Sequence, residues 1–151
     1  MIEISLRLIN VDDLFNLRQW KNNHREAFFF KGEISFEQQE KWLDEYQKRH
    51  DDYMFIVLAD DIEIGCMGIR LIDNIWDIYN VILGLQEYGG RGLMSRALGK
   101  LIYFAISIKP VTIVCKTLKN NFAVNWYKKN RFVIISEEEN HYNMLYQGDY
   151  L

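Results

Sequence analysis

The stretch that most limits what this chain can become runs from Val81 to Leu98, VILGLQEYGGRGLMSRAL. An apolar run (Val81, Ile82 and Leu83, with Leu85 beyond) is broken by Gly84 and then by Gly89, Gly90 and Gly92. Directly after Gly92 the apolar residues recur as Leu93, Ala97, Leu101, Ala105 and Ile108, the spacing of one helix face. The pattern reads as strand, glycine-rich turn, helix. The first turn of a helix carries backbone N–H groups with no intrahelical partner, and the helix dipole adds partial positive charge there. Glycines let a ligand approach the backbone closely, so a phosphate can settle on those donors. Arg91 adds a full positive charge at the same place. The segment predicts an anion site, of a kind that takes a pyrophosphate, at the start of this helix.

Two common glycine loops do not fit. A P-loop needs Gly-Lys-Ser/Thr after its second glycine, and here Gly92 is followed by Leu93 and Met94. The dinucleotide pattern needs a third glycine where Gly90-Arg91-Gly92 is followed, three residues on, by Ser95. The stretch instead resembles the coenzyme A loop of the GNAT superfamily of N-acetyltransferases, Q/R-x-x-G-x-G/A, entered from a strand and leading into a helix. Here it reads Gly89-Gly90-Arg91-Gly92-Leu93-Met94, with Gly92 on the middle glycine, Gly89 in place of Gln or Arg, and Met94 in place of Gly or Ala. Backbone N–H groups carry such binding, and neither replacement removes one. A second motif of the superfamily, N-x-x-A-x-x-x-Y-x-x-x-G-F, is matched by Asn120, Ala123, Tyr127 and Phe132, with Arg131 where the glycine stands. One helix and one strand separate the two motifs, as in the superfamily.

The chain has 151 residues, enough for one domain with a real core, spanning 1–151. Apolar residues are 49% and charged residues 26%, ordinary for a soluble globular protein. A net charge of -3 argues against nucleic acid as the main partner. No apolar run approaches the roughly 18 residues of a membrane helix, and the start lacks a secretory pattern, so a cytoplasmic protein without membrane association is expected. Cys66 and Cys115 read as reduced thiols, not a disulfide framework. His24, His50 and His141 are scattered without metal spacing, so no metal is expected.

In chain order, Ile2 to Leu8 predicts a first strand. Asn10 caps a helix through Leu14, Leu17 and Trp20, and HREAFFFKG is a short helix or turn. Ser35 and Gln38 form a capping-box pair opening a helix through Trp42, Leu43 and Tyr46. Tyr53 to Ala59 and Glu63 to Ile72 form a hairpin across Asp60-Asp61, and Ile75 to Leu83 leads into the glycine loop. The long helix, a strand Val111 to Thr117, a helix Asn121 to Lys129, and strands near Phe132 to Ser136 and Tyr142 to Tyr146 complete the chain. The order β-α-α-β-β-β-α-β-α-β-β is also what the resemblance implies. The expected class is α/β (α+β), a GNAT-like acyl-CoA N-acyltransferase fold with a mixed central sheet of about seven strands flanked by about four helices.

The resemblance implies an enzyme that transfers the acetyl group of acetyl-CoA, its co-substrate, to a primary amine. Such a reaction must hold the thioester, deprotonate the amine and release a thiolate. An alkylammonium of pKa about 10.4 costs on the order of 4–5 kcal/mol to deprotonate at pH 7, so a base or water chain helps. By resemblance, Val81, Ile82 and Leu83 hold the pantetheine arm, with Gly84 as the place where the strand distorts. Gly89, Gly90, Arg91, Gly92, Leu93, Met94 and Ser95 cradle the pyrophosphate, and Asn120 hydrogen-bonds the cofactor. Tyr127 donates to the leaving sulfur as general acid. Read only as a residue, Tyr127 is an aromatic on the inner face of an amphipathic helix, and Asn120 is a helix cap. The base is less defined. By alternation Asp77 and Tyr79 share one strand face and Trp76, Ile78 and Asn80 the other. Some family members carry a Glu where this chain has Tyr79, others where it has Cys115. Asp77 and Tyr79 are therefore candidates beside water-mediated deprotonation. Cys115, inside an apolar strand, reads as core.

For the acceptor, RQWKNNHREAFFFKGEISFEQQEKWL resembles the N-terminal part of GNAT enzymes that acetylate nucleotide-linked amino sugars, such as those of pseudaminic acid synthesis. Asn130-Arg131-Phe132 is close to the way their tyrosine helix ends. Arg18, Lys21 and Asn22 lie on one predicted helix and can meet a nucleotide phosphate, or simply face solvent. Ribosomal-protein N-terminal acetyltransferases share the same layout and give an alternative acceptor. A non-catalytic acyl-CoA-binding module is the alternative of a different class. A monomer or a homodimer fits either reading.

Overall fold

The computed structural model describes residues 1–149. Strand β1 (Ile4–Leu8) is followed by a 3-10 turn (Val11–Asp13), helix α1 (Leu14–Asn23), a second 3-10 turn (Arg25–Ala27) and α2 (Phe36–Gln47). Three strands follow, β2 (Asp52–Ala59), β3 (Ile62–Ile72) and β4 (Ile75–Leu83). A 3-10 turn (Gln86–Tyr88) leads to α3 (Leu93–Ile108), β5 (Ile113–Leu118), α4 (Ala123–Lys129), β6 (Phe132–Glu137) and β7 (His141–Tyr146). The strands form one sheet in the order β1-β2-β3-β4-β5-β7-β6. Every neighbouring pair is antiparallel except β4 with β5. The mixed seven-stranded sheet and the four α-helices are those read from the sequence.

Local chemistry sets the element ends. Ser35 Oγ accepts from the Gln38 N–H at 3.1 Å, while Gln38 Oε1 accepts from the Ser35 N–H at 2.9 Å, closing the capping box that opens α2. Asn10 caps the 3-10 turn Val11–Asp13, not α1 itself, through a capping box shared with Asp13. Asp73 (φ 50) and Asn74 (φ 66) make the two-residue turn between β3 and β4, a backbone that matches the twist of a hairpin. That turn fixes the register Ile72↔Ile75, Leu71↔Trp76, Arg70↔Asp77.

The sheet buries both faces, as a layered α/β arrangement requires. On one face Leu93, Ala97, Leu98 and Leu101 of α3 and Tyr127 of α4 pack on Phe55, Val57, Ile69 and Ile78. On the other, Leu17 and Trp20 of α1 pack on Met54, Ile56, Cys66 and Ile82, with Trp42 and Tyr46 of α2 against them. Ile108, the last residue of the predicted apolar stripe, is 45% exposed, so the buried stripe of α3 ends at Ala105. Cys66 and Cys115 are free and buried.

The central irregularity lies in β4. It pairs with β5 only at Trp76↔Ile113, Asp77↔Val114 and Ile78↔Cys115, and beyond Ile78 the two strands part. At that point Asn80 takes φ 51, and the register with β3 slips from Gly68↔Tyr79 to Cys66↔Ile82. One extra residue in a strand breaks the two-residue alternation of its side chains. Alternation alone assigns Asn80 to the face of Trp76 and Ile78. Instead Asn80 turns towards α1, where its Oδ1 accepts from Lys21 Nζ at 2.6 Å. Val81 and Leu83 then pack on the α3 side, and Ile82 on the α1 side. The strand therefore distorts at Asn80 and not at Gly84. Gly84 serves a different purpose: a Cβ there would overlap the Trp20 indole.

The glycines of two neighbouring segments give opposite expectations for one substitution. Gly84→Ala forces an atom into the indole of Trp20, itself 5% exposed. It should cost about 1–3 kcal/mol and lower the melting temperature by several degrees. Gly99→Ala, in the exposed interior of α3 with no atom within 4 Å of the new Cβ, should gain roughly 0.5–1 kcal/mol. Thermal or urea unfolding of the two variants checks the opposite signs.

Candidate active site

Where β4 leaves β5, the sheet opens and two cavities meet. The larger, about 520 Å³, lies between the glycine loop and the start of α4. Val81 and Leu83 of β4, the loop glycines Gly89, Gly90 and Gly92, and Leu93, Met94 and Ser95 of α3 line it. Gly90 (φ 74) and Gly92 (φ 72) sit in the left-handed region, where a β-carbon is costly. A Cβ built on either meets no atom within 4 Å, so the backbone there borders open space. The first intrahelical bond of α3 runs from the Arg96 N–H to the Gly92 carbonyl at 3.1 Å. The N–H groups of Leu93, Met94 and Ser95 come before it and have no partner within the helix. No side chain caps this end, and no acidic residue stands in its first turn. The arrangement suits the pyrophosphate of coenzyme A.

The cradle is held by Ser95. Its Oγ accepts from Trp126 Nε1 at 2.9 Å and from Asn130 Nδ2 at 3.1 Å, tying the first turn of α3 to α4. Arg91 does not line the cavity; its guanidinium lies exposed, 5.4 Å from the Tyr88 ring centroid. Ile82 does not line it either, because the bulge turns its side chain to the opposite core. Asn120 is exposed and lines neither cavity. Its neighbour Asn121 accepts from the Ala123 N–H at 2.9 Å in the turn before α4 and lines the second cavity.

The second cavity, about 400 Å³, lies on the α1–α2 side of the same opening and shares Val81, Ala123 and Trp126 with the first. Asp77, Tyr79 and Tyr127 all border it. Tyr127 is 6% exposed, its ring in edge contact with Trp126 (4.9 Å) and Phe132 (5.1 Å). Among the described residues its hydroxyl has no hydrogen-bond partner. Burial, with the nearby Cys115 and Asp77, pushes its pKa well above the ordinary tyrosine value, so it stays protonated at neutral pH and has a proton to donate. Burial also raises the Asp77 carboxyl, against the pull of Arg70, whose Nε donates to Asp77 Oδ2 at 3.1 Å. A carboxylate so raised is a better proton acceptor than a solvated one.

Tyr79 has a different environment. Its hydroxyl donates to Asp52 Oδ1, the Arg70 guanidinium lies 4.3 Å above its ring, and its pKa is raised first by burial and then by that hydrogen bond. Asp52 is paired in turn with Arg49 at 3.1 Å. The Tyr79 proton is therefore committed to Asp52, and of the two candidate bases only Asp77 carries a carboxylate able to take a proton. Cys115 is buried in the strand and its thiol is pushed up to about 12, which keeps it protonated and unreactive. Asp52, Arg70, Asn121 and Trp126 were not singled out by sequence reasoning; Lys21 was, with Arg18 and Asn22, as a residue able to meet a nucleotide phosphate, and of those three it alone borders the second cavity. The Asp73-Asn74 turn carried a signal for one of them: a two-residue hairpin there pairs Arg70 with Asp77. Among the described residues no group of His, Cys, Asp or Glu is arranged to hold a metal, and no helix is long and apolar enough to cross a membrane.

Comparison with known proteins bears on the fold and the family. No curated protein matches the sequence. A domain from Methanocaldococcus jannaschii superposes with a TM-score of 0.83 at 16% identity, covering 96% of this chain and 98% of its own. Spermidine N-acetyltransferase from Vibrio cholerae, solved with CoA and spermine, gives 0.79 at 19% identity over 94% of each chain. FdhC, a nucleotide-linked sugar GNAT, gives 0.76 at 19% identity over 95% of this chain and 85% of its own. The family model described as an acetyltransferase (GNAT) domain matches residues 3–133. The chain thus belongs to the GNAT family, as an acetyl-CoA-dependent N-acetyltransferase.

Proposed function

We propose that the enzyme acetylates an anionic acceptor, a nucleotide-linked amino sugar, with Tyr127 as hydrogen-bond donor to the departing sulfur and Asp77 as acceptor of the amine proton. Fold likeness does not choose the acceptor, since the neighbours include both a polyamine and a nucleotide-sugar enzyme. The charge of the 400 Å³ cavity carries the choice. Lys21, Arg49, Arg70 and Lys116 border it, and the carboxylates within reach, Asp77 and Asp52, are already paired with Arg70 and Arg49. Lys21 and Lys116 have no ion pair among the described residues. Such a wall repels a polyamine, which carries several positive charges, and attracts a phosphate-bearing acceptor. The sequence likeness of the α1–α2 region to amino-sugar acetyltransferases supports the same acceptor.

In this reading acetyl-CoA lies along the 520 Å³ cavity, with its pyrophosphate on the α3 N-terminus and its thioester at the wall shared through Val81, Ala123 and Trp126. The amine enters from the other cavity. Its nitrogen forms the new C–N bond as the C–S bond breaks, and its surplus proton passes to Asp77. A thiol has a reference pKa near 8.5, so the thiolate is a tolerable leaving group. Tyr127 holds its proton more tightly than a thiol does, so its contribution is a hydrogen bond that strengthens as negative charge collects on sulfur.

Four measurements test these assignments. Gly92→Val places a β-branched side chain in a left-handed backbone and over the cradle. Calorimetry should find coenzyme A affinity lost in a protein that still melts cooperatively, and unchanged affinity would move the pyrophosphate elsewhere. Tyr127→Phe keeps the ring contacts and should lower kcat by about 10²–10³-fold with acetyl-CoA affinity and melting temperature nearly unchanged. A preserved kcat would leave Tyr127 as packing alone. The acceptor is decided by thiol release with UDP- and dTDP-linked amino sugars against spermidine. Turnover confined to spermidine overturns the anionic acceptor. With the sugar acceptor, activity should fall as pH drops through the raised pKa of Asp77, and Asp77→Asn should remove that acidic limb together with most of kcat.

A further inference from the structure

A third cavity, about 220 Å³, opens beside the acceptor cavity beneath α1 and α2. The two share Lys21, Trp42 and Asn80 as their common border. Its walls are mostly apolar, with Leu17, Phe30, Ile34, Met54 and Ile82, and it is large enough for one heterocyclic ring. Three polar or aromatic side chains on its walls are placed to meet a ligand.

Lys21 comes first. Its ammonium sits half-buried at the border, donates to Asn80 Oδ1 at 2.6 Å and lies 4.5 Å from the Phe28 ring centroid. Both partners are neutral, and among the described residues no carboxylate pairs with it. Burial lowers its pKa, the sign that the charge is poorly compensated. A cation taken out of water without a counter-ion is unfavourable, and an arriving anion removes the penalty. Gln39 comes second. It is 8% exposed, and among the described residues its carboxamide has no hydrogen-bond partner. Its polar atoms are not sealed off either, so they border the open space of the cavity. A carboxamide presents a donor beside an acceptor, the complement of a nucleobase edge. Trp42 is third. It lines both cavities and is braced by Tyr46, whose ring stacks on it at 5.1 Å. Base–aromatic stacking is a common way of holding a nucleobase.

Resting on the acceptor class proposed above, we infer that this cavity is the nucleotide subsite: Lys21 takes a phosphoryl oxygen at the border, and the base enters beneath α1 and α2 to meet Trp42 and the Gln39 carboxamide. The amino sugar then lies in the adjoining cavity, between Lys21 and the Asp77–Tyr127 pair. The acceptor is thus recognised by its nucleoside diphosphate, while chemistry is confined to the sugar end.

The test titrates UDP, dTDP, inorganic pyrophosphate and uridine into the full chain loaded with coenzyme A, followed by calorimetry. The wild type should bind the nucleoside diphosphates at least tenfold more tightly than pyrophosphate or uridine. Lys21→Met, which keeps length and removes charge, should weaken both UDP and pyrophosphate by tenfold or more. Gln39→Leu and Trp42→Leu should weaken UDP while leaving pyrophosphate unchanged, a split that a general loss of structure does not produce. Coenzyme A affinity and the melting transition report that each variant is folded. If UDP and dTDP bind equally well to all three variants, the subsite is wrong and the anionic acceptor stands. If pyrophosphate matches UDP in the wild type, the base has no site here and the inference fails. If no nucleotide binds and spermidine alone is acetylated, the acceptor class and this inference fall together.

Discussion

The extra residue at Asn80 changes β4 in two respects at once. It breaks the alternation of side chains, and it coincides with the point where β4 leaves β5. Upstream, Ile78 anchors the strand in the α3-side core; downstream, Ile82 anchors it in the α1-side core. A regular strand would leave no opening between β4 and β5, and would turn Asn80 away from Lys21. Val81, next to the bulge, becomes the wall common to the cofactor and acceptor cavities. The left-handed backbone this needs is one that asparagine tolerates better than most residues. The Lys21–Asn80 hydrogen bond holds the side chain on the side to which the bulge delivers it.

Electrostatics on the acceptor side depends on strand register. Asp52, Arg70 and Asp77 stand opposite one another across β2, β3 and β4, a row of alternating charge on the sheet face. Arg70 serves Asp77 through its Nε and Tyr79 through its face. Asp52 accepts the Tyr79 hydrogen bond and pairs with Arg49. Two groups that look alike in the sequence, Asp77 and Tyr79, are thereby separated in chemistry: one retains an acceptor atom facing the cavity, the other is a donor already used. Tyr127, on α4, is the reverse case, a buried hydroxyl with its proton uncommitted.

Much of this was legible in the sequence because its causes are local. The capping box of Ser35 and Gln38 needs only four residues, and the Asp73-Asn74 turn fixes a hairpin register by itself. The glycine loop could be read because closely spaced glycines directly before an apolar helix repeat mark a chain that turns tightly into a helix, and Gly90 and Gly92 do take left-handed backbone there. The misses have tertiary causes. Nothing near Asn80 marks it as a bulge, since the slip is set by how β3 and β5 share β4. Gly84 looks like a flexible point in a strand but is a contact with Trp20 on a distant helix. Asn120 and Asn121 differ by one position, and only the tertiary fold decides that the second of them faces a cavity. Gln39 and Trp42 read as ordinary positions on an amphipathic helix. Their significance is that a cavity lies beneath them.

The departures from the superfamily motifs can be sorted by what each glycine was for. Gly89 stands where Gln or Arg is usual, and its φ of -74 is open to any residue, so the backbone course does not depend on which one is there. Met94 lies within α3, where the N–H it offers is the same as that of Gly or Ala. Neither change removes a donor from the cradle. Arg131 differs in kind. It takes φ 71, the left-handed conformation after α4, and it is the one residue with positive φ among those described that is not Gly, Asp or Asn. A side chain there costs roughly 1–2 kcal/mol relative to a relaxed backbone. Part of the offset is visible in the Arg131 carbonyl, which accepts from the Gln147 N–H at 2.8 Å and ties the turn to the end of β7. The long Asp149 contact at 3.9 Å is too exposed to add much. The cost falls on stability after α4, outside both cavities, so this motif glycine was lost where the site's geometry does not depend on it, while Gly90 and Gly92 remain where it does.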